Sequence, residues 1–206
     1  MPRTDRRPRQ RLDAETRRLE ILRVAGEAFG AQPYDRVSVA RVAETAGASE
    51  ALVHRYFAGK SGLYIAVIEA GVGQLLDRQR DAIEATPGGS RDRLATTVGI
   101  YLDVVAEWST GWLNPVQSPS GEPAAAVGLR REVRDTYADL LRELLKLPDD
   151  PRLDYAIYGY LSFLDAACQC WAERGYPAGD RGLITDQAIA ALTAALTAAG
   201  HPDALR

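Results

Sequence analysis

The run from Val39 to Lys60, VARVAETAGASEALVHRYFAGK, constrains the fold of this chain more than any other stretch. Ser38 stands before it as an N-cap, and Val39, Val42, Ala43 and Ala46 recur at helical spacing. Gly47 is free to take the left-handed conformation that ends a helix. Ser49 then caps another helix, in which Val53 and Phe57 turn inward together and Ala58-Gly59 marks the end. Two short helices joined by a glycine turn are the sequence form of a helix-turn-helix, whose second helix lies in the major groove of DNA.

The rest of the chain also reads as helix. β-Branched residues are sparse and Ala, Leu and Arg abundant, a composition that favours helix. A first helix is predicted from about Asp13 to Gly30, with Leu19, Leu22, Gly26 and Phe29 on its inner face. A long fourth helix begins near Lys60, with Leu63, Val67, Ala70 or Gly71, and Leu75 along one side. Thr86-Pro87-Gly88-Gly89-Ser90 breaks it, and a fifth helix is predicted from about Arg91 to Trp108, with irregular chain over 109–123. Further helices are predicted over about 122–147, 151–174 and 180–199. The 151–174 helix is so apolar that burial on both sides is expected. The expected fold is all-α, with about nine helices in total. It divides into a basic arm at 1–12, disordered in solution, a helix-turn-helix domain at 13–60 and a helical body at 61–206.

Charge divides along the same line. Residues 1–60 hold 12 Lys/Arg against 8 Asp/Glu, and the remainder 13 against 20. A basic head on an acidic body suits a head that meets a polyanion. Other classes are poorly served. Cys168 and Cys170 are two positions apart on a helix and point away from each other, and the two histidines are far apart. Neither a metal cluster, a nucleophile with its base, nor a glycine-rich phosphate loop stands out, so neither an enzyme nor a cofactor is expected. No stretch approaches the roughly 18 apolar residues of a membrane span. The N-terminal arginines lead into no apolar segment, so no signal peptide is read and the cytoplasm is the expected location.

Residues 16–68 resemble the DNA-binding region of the TetR family of transcriptional repressors. The resemblance is carried by Ala28-Phe29-Gly30, Val37-Ser38-Val39, Val42-Ala43, Ala46-Gly47-Ala48-Ser49 and Tyr56-Phe57-x-x-Lys60-x-x-Leu63. From the residues themselves, Glu50, Ala51, Leu52 and His54 face the base edges, with Arg55 beside them and Ser49 at the helix start. Ser38, Tyr56 and Lys60 face phosphates at the rim, and the resemblance implies contact at those same rim positions. Two positions depart from the family's usual pattern. Glu50 stands where a polar, basic or proline residue is commoner, and His54 where tyrosine is. A carboxylate there either accepts from cytosine or serves as a first-turn acid.

The resemblance implies that the body binds a small molecule and forms a homodimer. Pairing also follows physically, because two reader helices related by a two-fold axis read a palindromic double-stranded DNA operator. The 151–174 helix and the last helix are the expected interface, where Ala190, Ala194 and Ala198 allow close approach. Tyr101, Trp108, Trp112, Tyr137, Tyr158 and Phe163 are the candidate pocket liners, and Asp103 and Asp165, within apolar surroundings, either fix a polar or cationic ligand or sit at solvated edges. No basic cluster in the body points to an anionic effector. The expected activity is therefore that of a repressor released from its operator by an effector of unknown identity. The alternative is a helical protein-interaction module that has the helix-turn-helix shape without binding DNA.

Overall fold

The structure, a computed structural model, describes residues 14–117 and 122–205, with side chains at 14–107 and 122–205. Eight α-helices and one 3-10 turn make nine helical elements among the described residues, and none of these residues is in a strand. The helices are α1 (Ala14–Ala31), α2 (Val39–Thr45), α3 (Glu50–Phe57), α4 (Lys60–Ala85), α5 (Ser90–Gln117), α6 (Ala124–Leu145), α7 (Arg152–Glu173) and α8 (Asp180–Ala198). The 3-10 turn, Tyr34–Arg36, links α1 to α2. The arm at 1–12 lies outside the described residues.

Two apolar cores meet along α4. The head core joins Ile21, Phe29, Val42, Val53, Phe57 and Leu63, and continues along α4 to Leu76. Phe29, Tyr34 and Tyr64 cluster within it, Phe29 stacked with Tyr34 and the Tyr64 ring tilted against both, 4.8 Å from Phe29 and 5.0 Å from Tyr34 between ring centres. The body core is built by α5, α6, α7 and α8, with Leu102, Leu153, Ile157, Ile189 and Leu192 wholly enclosed. Each such side chain contributes about 1.5–3 kcal/mol by leaving water. Helix α4 thus belongs to the head core and packs against α5 and α6 of the body, while α1 packs on α4 and α5.

Three expectations are corrected. In α1 the inner face carries Ile21, Val24, Ala25 and Phe29, and Leu19 is 53% exposed. Spacing alone allowed either stripe, and packing of α1 on α4 and α5 buries the one with Ile21. Helix α5 continues past Trp108 to Gln117. Gly111 costs a helix only about 1 kcal/mol relative to alanine, and Pro115 removes one backbone donor near the helix end. Neither stops the helix, which reaches 28 residues in all. Finally, α7 is buried on one side only. Tyr155 is 85% exposed, and Gly159, Ser162, Ala166 and Cys170 follow it along an open stripe. Beside that stripe, α8 exposes Leu183, Gln187, Ala190, Ala194 and Ala198. No described residue of the chain covers this pair of stripes.

Candidate nucleic-acid interface and body cavity

The reader is positioned by its caps. The Ser38 hydroxyl oxygen accepts from the Arg41 amide at 3.4 Å, and Ser49 accepts from the Leu52 amide at 3.2 Å. Each bond satisfies an amide that the first helical turn would leave unpaired. Gly47 takes φ +64° between α2 and α3, where a side chain would be strained. Val53 and Phe57 are buried, so the remaining faces of α3 are set by the helical period.

On those faces Glu50, Ala51, His54 and Arg55 are exposed, and Leu52 and Tyr56 are half-buried. Glu50 and His54 lie together, Oε1 to Nε2 at 3.8 Å, one turn apart on the same helix. The two departures from the resemblance are therefore one paired unit on the outer face. The Arg55 guanidinium lies over the Tyr56 ring at 5.5 Å, and Arg18 lies over Phe57 at 5.3 Å. The Lys60 ammonium donates to the Asp35 carbonyl at 3.0 Å and sits 4.7 Å above the Tyr34 ring. It ties the turn after α1 to the start of α4, and an ammonium has three protons to donate, so further acceptors can be served.

Gly62 is a residue that periodicity could not single out. A methyl group there would press into the Phe57 carbonyl, 2.9 Å from its carbon and closer to its oxygen. The bare Cα lets the first turn of α4 cross the last turn of α3 at backbone contact.

The body holds a cavity of about 160 Å³ between α4, α5, α6 and α7. Of the expected liners, Tyr101 and Tyr137 face it. Tyr158 does not: its hydroxyl donates to Asp135 at 2.7 Å on the outer surface. Phe163 packs against the body core and is absent from the cavity wall. The side chains of Trp108 and Trp112 lie outside the described residues. Asp103 pairs with Arg181 at 2.6 Å, and Asp165 turns out to line the cavity. Burial pushes the Asp165 carboxyl above its usual range, opposed by a hydrogen bond from Tyr101 and by the charge of Arg134.

Contrary to the reading of the body as lacking a basic cluster, Arg130 and Arg134 reach the cavity from one face of α6. Each is already paired. Arg134 donates to Asp165 at 2.7 Å and to Ser162 at 2.8 Å. Arg130 donates to Glu122 at 2.9 Å and to the Tyr64 hydroxyl at 3.0 Å, and Tyr64 in turn donates to Glu122. Tyr64 thus stands in the aromatic cluster of the head core and in a polar cluster with a residue of the cavity wall.

Comparison with known proteins agrees with this layout. The family described as "Bacterial regulatory proteins, tetR family" matches residues 21–67. The transcriptional activator FasR of Mycolicibacterium smegmatis is 30% identical over 102 residues, which span 50% of this chain and 46% of that protein. The transcriptional regulator BetI of Escherichia coli is 26% identical over 157 residues, 72% of this chain and 78% of its own. A tetR-family transcriptional regulator from Streptomyces coelicolor superposes with a TM-score of 0.78 at 25% identity, covering 93% of this chain and 85% of that one.

Proposed function

Because this chain belongs to the TetR family of transcriptional regulators, we propose that it works as a homodimer that reads a two-fold-symmetric DNA site and responds to a small molecule held in its body. The observation that carries the reading is the division of α3. Val53 and Phe57 lock one side into the head core, and Glu50, Ala51, His54 and Arg55 stand clear on the other. Such a helix offers base-edge contacts without disturbing its own packing. Ser38, Ser49, Tyr56 and Lys60 surround that face as phosphate partners, and Leu52 borders it where a thymine methyl would fall. In functional terms the chain divides into a basic arm at 1–12, a reader at 13–60 and a body at 61–206, with α4 as the lever between the last two.

Pairing is through the open stripes of α7 and α8. The alanines of α8 and Gly159 and Ala166 of α7 let two such pairs approach closely and form a four-helix seam. The seam sets the distance between the two readers, which must match successive major grooves. Effector binding acts on that distance through α4. Tyr64 of the head core is bonded to Glu122 and to Arg130 of the cavity wall, so a ligand that moves α6 moves α4 with it. Switching from mostly bound to mostly released needs a differential affinity of about 10⁴-fold between the two head spacings. Repression is the proposed direction, the operator being vacated when the effector binds.

The test is a fluorescence anisotropy titration of the dimer on the DNA upstream of its own gene, repeated over a range of salt. A DNA reader loses affinity steeply as salt rises, and a head that meets protein does not. Salt-indifferent binding, or none at any salt, would sink the reading. A reporter placed behind the same DNA separates repression from activation by the sign of its response.

A further inference from the structure

We propose that the body cavity is built for an uncharged, ring-sized, largely apolar molecule that carries a hydroxyl, and that Gln79 and Tyr137 recognise that hydroxyl. This rests on the reading of the body as an effector site and names the chemical class the site takes. Three observations converge on it.

The first is size and lining. A dry protein cavity of about 150 Å³ takes a benzene-sized guest, and this one is about 160 Å³. Its wall is mostly aliphatic, with Val72, Leu94, Val98, Leu140 and Leu164 on four different helices. One ring with a small substituent fits this volume.

The second is the pair of unsatisfied polar atoms. Gln79 is 4% exposed, and its amide nitrogen donates to the Thr97 carbonyl at 3.0 Å. That bond fixes which way the amide faces and leaves Oε1 as an acceptor with no partner among the described residues. The Tyr137 hydroxyl is enclosed and also lacks a partner among them. Burial, with a smaller effect from Asp165, pushes this phenol above its usual range, so it keeps its proton. Both residues line the cavity. Buried polar groups are seldom left unpaired without a reason. A hydroxyl is the small group that both donates, as Oε1 requires, and accepts, as a tyrosine requires.

The third is charge. The charged groups of the wall are neutralised by one another or by a neighbour: Arg134 by Asp165, with Tyr101 adding a bond at 2.9 Å, and Arg130 by Glu122. A carboxylate or ammonium ligand would find no free counter-ion there and would have to break an existing pair. Because Gln79 is on α4 and Tyr137 on α6, a hydroxyl bound to both ties the lever to the cavity wall.

The experiment is calorimetric titration of the full chain at pH 7 with four matched probes: p-cresol, toluene, benzoate and benzylamine. DNA affinity is measured on the same samples. p-Cresol is expected to bind about tenfold or more tighter than toluene, and tighter than either charged probe. In Tyr137→Phe and in Gln79→Leu, toluene still binds and the preference for p-cresol shrinks. Equal affinity for toluene and p-cresol, tighter binding of benzoate or benzylamine, or an unchanged preference in both variants would overturn the assignment. If no probe binds while DNA binding persists, the cavity assignment fails and the DNA reader stands. If p-cresol binds and DNA does not, the reader fails and the cavity assignment stands.

Discussion

Replacing Gly62 by alanine sets two physical effects against each other. Inside a helix, alanine for glycine is worth about 0.5–1 kcal/mol in stability. Propensity therefore predicts a more stable protein. The geometry predicts the reverse. The added methyl carbon would stand 2.9 Å from the Phe57 carbonyl carbon and still nearer its oxygen, where ordinary contact is 3.4–4 Å. Both atoms are backbone, at the end of α3, and cannot swing aside as a side-chain tip would. The first turn of α4 must back away from α3, opening the packing around Phe57 and Leu63. Overfilling of this kind costs about 1–3 kcal/mol, so after the propensity gain a net loss of about 1 kcal/mol is expected. For a chain of this size that lowers Tm by about 2–4 °C. Gly73, in the same helix, has nothing within 4 Å of the equivalent position. Gly73→Ala should therefore raise Tm by about 1–4 °C. Thermal unfolding followed by circular dichroism at 222 nm compares the two variants. If Gly62→Ala melts at or above the wild type, the close crossing of α3 and α4 is wrong.

Three other perturbations probe separate parts of the molecule. Lys60→Ala should flatten the dependence of log K on log salt by about 1, the loss of one phosphate contact. It should also lower Tm slightly, because the ammonium leaves the Tyr34 ring and the Asp35 carbonyl; an unchanged salt slope would remove Lys60 from the DNA face. Ala194→Glu puts a carboxylate on the exposed alanine stripe of α8 and should convert dimer to monomer in sedimentation velocity; an intact dimer would place the seam elsewhere. At pH 8 a thiol reagent should modify Cys170 alone in the native chain. Burial pushes the Cys168 thiol up to about 12, so thiolate is scarce there until the chain unfolds. Cys170 should react faster in the Ala194→Glu variant than in the wild type, and two fast thiols in the native protein would contradict the packing of α7.

What could be read before folding is what local chemistry controls. Ser38 and Ser49 cap their helices because the hydroxyl, the amide it serves and the turn between them lie within four residues. Gly47 makes its turn for an equally local reason. The burial of Val53 and Phe57 follows from spacing once the helix is granted. The outward face of α3 was visible for the same reason, although its contacts with DNA are proposed rather than seen. Where two apolar stripes competed, as with Leu19 and Ile21 on α1, spacing could not choose, because the choice belongs to the helix packed against it.

The body is different. Spacing puts Gln79 on the same stripe as Leu75 and Ile83, but its polar type and its neighbours Asp77, Arg78 and Arg80 do not mark it as buried. Its position opposite Thr97 depends on how α4 meets α5. Arg130 and Arg134 read as surface charges until Glu122 and Asp165, from elsewhere in the chain, arrive beside them. Tyr158 and Phe163 resemble Tyr101 and Tyr137 in sequence, yet only the latter two face the cavity. The sequence alone therefore determined the helices, their caps and the reader, because those depend on interactions a few residues apart. The cavity, its paired charges and its two unpaired polar atoms were decided only when four helices distant in sequence came together, since burial and pairing are properties of that meeting and not of any one segment.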